Sequence, residues 1–484
     1  MVSRHIITVG GSDAAISAAL RARELDPATA VTVVVADGYP NFSICGIPYY
    51  LSGEVTHWSN LAHRTGADLA ATGMRVLTDT RATRIDPDSH TLEILNASGE
   101  PGQLSYDALI VATGALSARP PIGGLTGPGR LGPRDGVHLL HSMGDTFAVM
   151  KSLTAGNPKT AAIIGAGYIG LEMAEALTLR GIAVTQIEAL PEVLPTVDTQ
   201  LGSLIHAELE RHGVEVLTDT TVTAITRADT GGLTLTARHH DEIITRTVEF
   251  ILVVVGVRPD TDLAAAAGVE RGVKGAIAVD ETMRTNLPDV FAAGDCVHTH
   301  HRLLGLTWLP LGTTAHKQGR VAGENAVGGD ARFAGSLGTQ VVKVFDLVAA
   351  RTGVRDHEAR SAGRGWAPAT NACSADDHKA YYPGATPIHI RITGDPGTGM
   401  LLGAQLVGHR GAEIAKRVDI FATAIFNALT VDAISELDLS YTPPLGSPWD
   451  AIQIAAQDWV RQYRGTAYPQ AVTNQPLTGS ARWR

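Results

Sequence analysis

Cysteine is scarce in this sequence: 3 among 484 residues. Cys45, Cys296 and Cys373 are too few and too far apart for a disulfide framework, so a reducing compartment, the cytoplasm, is expected. Positive charge is also short, with 39 Lys and Arg against 49 Asp and Glu and a net charge of −10. That balance argues against a nucleic-acid surface and against docking on an anionic membrane, while leaving room for a local basic site for a phosphorylated ligand. No apolar run has the length of a spanning helix, and residues 1–11 form a short apolar strand running into glycines, without a basic segment, apolar core and cleavage site. Neither a membrane span nor a signal peptide is expected. Phenylalanine is rare (8) while glycine is abundant (52), with 44% hydrophobic residues. This is the balance of a glycine-rich α/β enzyme, long enough for about three domains.

Residues 6–9 are an apolar run followed by Gly10, Gly11, Ser12, Asp13, Ala14 and Ala15, then a helical pattern over 16–25. Strand, tight loop and helix in that order place free amides where a pyrophosphate binds. The loop departs from the usual dinucleotide fingerprint: Ala15 stands in the last glycine position, the middle glycine is displaced, and the strand at 31–35 is followed by Asp37 rather than ending on an acid. A second copy is complete. Residues 161–164 lead into Gly165, Ala166, Gly167, Tyr168, Ile169 and Gly170, then a helical run at 171–180 and a strand at 183–187 ending on Glu188. Glu188 is placed to accept hydrogen bonds from the adenosine ribose and to repel a 2′-phosphate, which favours NADH over NADPH. Each fingerprint has a later partner: the strand ending in Ala112, Thr113 and Gly114, and the run 250–255 followed by Gly256. The chain therefore carries a divergent internal repeat. A third strand, 290–293, delivers Asp295 just after Gly294, where a carboxylate suits a sugar or ribityl hydroxyl, or else caps a helix.

Cys45 lies in Asn41-Phe42-Ser43-Ile44-Cys45-Gly46-Ile47-Pro48-Tyr49-Tyr50, where Gly46 permits a tight turn and Pro48 fits the first turn of a helix. At such a helix start the thiolate is expected to be favoured over the thiol. No second cysteine follows before Cys296, so Cys45 works alone or with a small-molecule thiol.

These motifs, together with Trp308 to Gly312, Lys317 to Arg320 and Tyr441-Thr442-Pro443-Pro444, resemble the two-dinucleotide flavoprotein reductases over about 6–459. The resemblance is to their single-cysteine branch: coenzyme A disulfide reductases, NADH oxidases, NADH peroxidases and persulfide reductases. It implies an α/β protein with two Rossmann-like domains and a C-terminal α+β dimerisation domain. The FAD domain would be discontinuous (1–120 and 250–330), the NAD domain would span 121–249, the interface domain 335–465, and 466–484 would be a tail. Asp295 would bind the ribityl chain of FAD, the helix beginning near Thr313 would aim its positive end at the flavin, and Glu172 would lie near nicotinamide and flavin. Tyr381, Tyr382 and Tyr441 resemble tyrosines placed near the partner subunit's cysteine in a homodimer. Arg21 and Arg23 occupy the helix on which relatives present basic residues to coenzyme A phosphates. Asp13 stands where the oxidases and peroxidases carry a histidine beside the redox cysteine; an ionised carboxylate there raises the cysteine pKa against the helix dipole and a protonated one donates a hydrogen bond, either of which ranks peroxide chemistry second, unless Asp13 merely caps the following helix.

The expected activity is electron transfer from NADH through FAD and Cys45 to a low-molecular-weight disulfide or persulfide, coenzyme A linked in one version. The alternatives are an NADH oxidase or peroxidase, and an NADH-dependent redox sensor or donor to a protein partner. Cys296, His298, His300 and His301 have metal-ligand residue types but lack a second ligand set, so no metal is expected. Cys373 lies in a polar stretch and is expected to be non-catalytic.

Overall fold

The computed structural model describes residues 4–229 and 231–465; the polar tail at 466–484 lies outside them. Two parallel five-stranded sheets are built on the two fingerprints. In the first, His5–Val9 pairs with Ala30–Val34 on one side and Ala108–Val111 on the other, and Arg75–Leu77 and Val290–Ala292 complete the edges. In the second, Thr160–Ile164 lies between Ala183–Ile187 and Phe250–Val253, flanked by Glu215–Leu217 and Val137–Leu139. The central strands are apolar along their whole length because both faces of a parallel sheet are covered: Ile6, Ile7, Ala161, Ala162 and Ile163 are fully buried.

The internal repeat is deeper than the fingerprints. Each unit carries a three-stranded antiparallel sheet before its last parallel strands: Arg81–Asp86, Thr91–Leu95 and Pro101–Ser105 in the first, and Thr220–Arg227, Leu233–His239 and Glu242–Val248 in the second. The expected domain boundary at 250 needs correction. Phe250–Val253 pairs with Thr160–Ile164 and so belongs to the second unit; the chain returns to the first through an antiparallel ribbon of Ala115–Ser117 with Val257–Pro259. A four-residue apolar run looks alike in either sheet, and only its pairing assigns it.

The helix Asp13–Leu25 packs against the long helix Gly312–Ala326 so closely at Gly319 and Gly323 that neither position has room for a Cβ. A Cβ on Gly319 would come within 2.3 Å of Ala14 O, and one on Gly323 within 2.2 Å of Ala18 O. This close approach fixes the start of the long helix beside the first glycine loop. The last domain is built on an antiparallel sheet, with Leu347–Gly353, Leu401–His409 and Pro387–Gly394 at its centre. Ile414–Phe426 and Ala451–Arg464 cover it, the latter burying Trp459, whose Nε1 donates to Ala369 O at 2.9 Å. Among the described residues no helix is long and apolar enough to cross a membrane.

Candidate active site

Residues Ile44–Gly46 form one 3₁₀ turn that runs straight into the short helix Ile47–Ser52, with Pro48 in its first turn. Ile47 and Leu51 anchor this segment in the core at 1% and 0% exposure. Gly46 is required by its surroundings, since a Cβ there would stand 2.6 Å from Leu61 Cδ2. Cys45 is thereby held as a free thiol open to solvent.

The charge around this thiol corrects the expectation of a favoured thiolate. Partial desolvation raises the Cys45 pKa first, and the carboxylates of Glu172, Asp13 and Asp295 raise it further. Three acids near one sulfur outweigh the dipole of a helix of 6 residues. One of these charges, Asp13, comes from the first turn of the helix after the first glycine loop.

The glycine loops are shaped by close backbone approaches. Gly10 has φ +135°, and a Cβ would meet Ala112 O at 2.1 Å; at Gly11 it would meet Val35 Cγ1 at 2.5 Å. Ser12 is the N-cap residue but makes no side-chain cap, and Ala15 fills the last glycine position at 1% exposure. In the second loop, a Cβ on Gly165 would lie 2.6 Å from Val254 O and one on Gly170 2.0 Å from Gly165 O, whereas one on Gly167 would meet nothing within 4 Å. The outer glycines serve the protein's own packing, and the middle one leaves space for a ligand. Glu188, 8% exposed, accepts from Ala166 N at 2.7 Å and Leu190 N at 3.0 Å, which fixes its carboxylate at the loop. Gly114 and Gly256 turn the chain at φ +74° and +105°. Thr113 Oγ1 donates to Asp260 O at 2.5 Å, and Asp37 Oδ1 accepts from Tyr39 N at 2.9 Å.

The fit of a flavin dinucleotide rests on Asp295. Its carboxyl, carried just past Gly294 (φ +89°), is pushed up to about 6 by burial and then by Asp13. Its backbone oxygen accepts from Trp308 Nε1 at 2.8 Å, yet its side chain takes no hydrogen bond among the described residues. A desolvated acceptor without a donor, set between the first loop and the helix start holding Thr313, suits a polyol hydroxyl.

Glu172 was foreseen; its partners were not. Tyr49 Oη donates to Glu172 Oε1 at 3.2 Å, and the glutamate is pushed up to about 7, chiefly by burial. Lys343, from the strand Gln340–Val344 of the last domain, pairs with Glu175 and stands 5.6 Å from the centre of the Tyr49 ring. The sequence signal for Tyr49 was its position one helical turn beyond Cys45; Lys343 had none.

Other expected residues are placed elsewhere or otherwise engaged. Arg21 donates to Glu324 at 2.6 Å and pairs with Glu24 at 3.0 Å. Arg23 donates to the carbonyls of Thr72, Pro27 and Thr29. Tyr381, Tyr382 and Tyr441 are exposed on the last domain, with Tyr381 hydrogen-bonded to Tyr441 and Tyr382 edge-on to His378 at 5.8 Å. None contacts Cys45 within one chain among the described residues. Cys296 is fully buried, with Sγ directed to Val111 O and Ala293 O. His298 Nε2 bonds to Val279, and His301 Nδ1 accepts from Leu303 and Leu304 amides, so these side chains turn to separate backbone partners. The Cys373 thiol is pushed up to about 11, first by burial and then by Asp458.

A family model described as pyridine nucleotide-disulphide oxidoreductase matches residues 4–319, and the dimerisation domain of the same family matches 339–451. The chain is 30% identical to an NADH oxidase of Methanocaldococcus jannaschii, covering 94% of this chain and 98% of that one. It is 31% identical to an NAD(P)H sulfur oxidoreductase (CoA-dependent) of Pyrococcus furiosus, covering 94% and 99%. Among solved structures, an NAD-dependent persulfide reductase from A. fulgidus superposes with a TM-score of 0.88 at 36% identity, over 95% of this chain and 84% of that one. With both domain models matched in order and the relatives covered almost end to end, this chain belongs to the pyridine nucleotide-disulphide oxidoreductase family and is an FAD- and NAD(P)H-dependent oxidoreductase.

Proposed function

We propose that the enzyme uses NADH to reduce a low-molecular-weight disulfide or persulfide, coenzyme A linked, through Cys45 as its single redox thiol. The observation that carries this reading is the isolation of Cys45: it is the exposed free thiol, while Cys296 is buried and Cys373 lies in the last domain. Relatives named for coenzyme A disulfide and for coenzyme A-dependent sulfur reduction support the substrate class. The carboxylate of Glu188, fixed at the second loop, supports NADH. The dimerisation-domain match and the exposed tyrosines support a homodimer.

In this reading the amides of Gly11, Ser12 and Asp13 hold a pyrophosphate, and Asp295 accepts a hydrogen bond from the ribityl chain. A bound FAD would supply the electron pair, drawn as hydride from the nicotinamide, that cleaves the mixed disulfide of Cys45 with its substrate, releasing the second thiol as RSH and regenerating the Cys45 thiol. The Cys45 thiolate attacks one sulfur of a disulfide; a Cys45–S–S–R bond forms, the substrate S–S bond breaks, and RS⁻ leaves, taking a proton as RSH. Neighbouring acids make thiolate formation less favourable and leave Glu172, near neutrality, as a group that holds or yields a proton beside the sulfur. The second reading, reduction of oxygen or peroxide, is favoured by the relative named as an NADH oxidase.

The test compares wild type and Cys45→Ser with NADH and each of coenzyme A disulfide, a persulfide, peroxide and oxygen, with intact mass before and after reduction. Disulfide or persulfide is expected to be the fastest acceptor, with turnover lost in Cys45→Ser while FAD content stays intact. Faster turnover on peroxide or oxygen, or an unimpaired Cys45→Ser enzyme, overturns the proposal.

A further inference from the structure

Three domains meet at one phenol. Tyr49 comes from the cysteine helix Ile47–Ser52, Glu172 and Glu175 from the helix Tyr168–Leu179 of the second unit, and Lys343 from the strand Gln340–Val344 of the last domain. The Tyr49 hydroxyl donates to Glu172 Oε1 at 3.2 Å. Lys343 Nζ sits 5.6 Å from the Tyr49 ring centre and closes an ion pair with Glu175, whose other oxygen accepts from Phe345 N at 2.9 Å. Glu175 is 6% exposed, so this pair is held by the fold rather than by solvent.

We infer that Tyr49 is a positioning residue: braced by the Lys343–Glu175 pair, it holds the Glu172 carboxylate and thereby sets how much negative charge faces Cys45. The inference rests on the reading of Cys45 as the redox thiol and deepens it. All the charged and titratable groups bearing on Glu172 act in opposed pairs. From its own helix Glu175 resists its ionisation; from the cysteine helix Tyr49 stabilises the carboxylate by donating to it; from the last domain Lys343 stabilises it by charge, and burial opposes both. Tyr49 itself is held in its donor form, its pKa pushed well above the usual range by burial and then by Glu172, with Glu175 and Glu54 adding to it. Glu172 is in turn the carboxylate whose charge bears most on the Cys45 thiol. A chain of contacts thus runs from the last domain to Glu172, whose charge acts on the sulfur.

The sign of the effect follows. Removing the Tyr49 hydroxyl takes away a hydrogen bond to the charged form of Glu172, so the glutamate carries its proton to higher pH. Near neutrality Glu172 is then neutral in more molecules, and the thiolate of Cys45 is less opposed. At alkaline pH Glu172 is ionised with or without Tyr49, and the difference vanishes.

The experiment measures the rate of Cys45 alkylation by iodoacetamide in reduced, FAD-loaded protein between pH 6 and pH 9.5, read by mass spectrometry and independent of any acceptor. Tyr49→Phe is expected to alkylate roughly two- to threefold faster than wild type near pH 7 and at the wild-type rate at the alkaline limit. In a Glu172→Gln background Tyr49→Phe is expected to change nothing. Lys343→Gln should act in the same direction as Tyr49→Phe, and Lys343→Arg should restore the wild-type profile, which covers the case that the phenylalanine variant folds poorly. A rate ratio constant across pH, or one that persists with Glu172→Gln, overturns the inference and assigns Tyr49 a packing role alone. The proposed acceptor has no part in this readout, so its failure is scored separately.

Discussion

Arg21 reaches Glu324 with two nitrogens, Nε at 2.9 Å and Nη2 at 2.6 Å, clasping the helix that follows the first glycine loop to the long helix Gly312–Ala326. Glu24 takes a third contact at 3.0 Å. A guanidinium committed to two carboxylates has little left for a phosphate. Arg23, spent on three backbone carbonyls, is in the same position.

Arg21→Ala is therefore expected to lower stability by about 1–2 kcal/mol, the worth of a partly buried, two-pronged charged hydrogen bond. The KM for coenzyme A disulfide should move less than about twofold, because the side chain removed does not face substrate. Thermal melts and steady-state kinetics decide it. A large rise in KM with unchanged stability would return Arg21 to the substrate site.

How much of this was legible follows from how local each signal is. The fingerprints were legible because each is a short strand, a turn that only glycine permits and a helix start, all within one stretch: Gly165 and Gly170 are required by atoms a few residues away or in the adjoining strand. In the last third, strand-like runs at 340–345, 388–392 and 401–408 and an amphipathic stretch at 412–429 are legible from pattern, and the structure places there the strands Gln340–Val344, Pro387–Gly394 and Leu401–His409 and the helix Ile414–Phe426. Contacts across long separations left no such mark. Arg21 and Glu324 are 303 residues apart, and Tyr49 and Glu172 are 123. Arg21 read as a ligand residue because nothing nearby in sequence announced the glutamate that holds it. The strand Leu347–Gly353 and the helix Ala451–Arg464 carry no turn motif or glycine loop to mark them in the sequence.

Asp13 is expected to lower the thiolate fraction of Cys45 near neutral pH, since its charge is among those that raise the thiol pKa. Asp13→Asn should lower the apparent pKa for alkylation of the reduced protein, and Asp13→His should raise peroxide turnover. An unchanged alkylation profile in Asp13→Asn, with FAD content intact, would leave Asp13 as a residue of the helix start with no influence on the sulfur.

Asp295 ties flavin binding to pH. Its folded pKa of about 6 lies above the usual carboxyl value, so the fold binds this proton more tightly than the unfolded chain does. The stability it contributes is complete below pH about 4, falls between about 4 and about 6, and is lost above that. Flavin-free Asp295→Asn should therefore be at least as stable as flavin-free wild type at pH 7, while binding FAD more weakly. Melting curves of the two apoproteins at pH 4.5 and pH 7 check the first point and a flavin titration the second. A less stable apoprotein at pH 7 would show that Asp295 is paired within the fold.

Glu188 should make NADH the better donor by tenfold or more in kcat/KM. Its carboxylate is held by the amides of Ala166 and Leu190 beside the second loop and is placed to meet a ribose hydroxyl or to repel a 2′-phosphate. Glu188→Ala is expected to narrow that ratio chiefly by weakening NADH. Equal use of NADPH by the wild type would remove Glu188 as the ribose reader.

Tyr441 is the residue through which a second subunit is expected to act. It is 44% exposed, and Leu445 and Trp449 further along the same segment are 74% and 51% exposed, large apolar side chains that a single chain leaves uncovered. Within the chain its hydroxyl is engaged with Tyr381, which raises its pKa and keeps it a proton donor. In a two-fold dimer each such face meets the other subunit, so Tyr441 of one chain can serve Cys45 of its partner without ever approaching its own. Tyr441→Phe should lose most disulfide turnover while keeping FAD and reduction by NADH, because the phenol is needed only where the thiol meets its acceptor. Mixing this chain with Cys45→Ser sorts the geometry: in a heterodimer one site carries both lesions and the other carries none. Activity of about half the wild-type dimer, from two parents that are each inactive, is expected for crossing sites. If verified heterodimers show no recovery, Tyr441 acts within its own chain or only in packing.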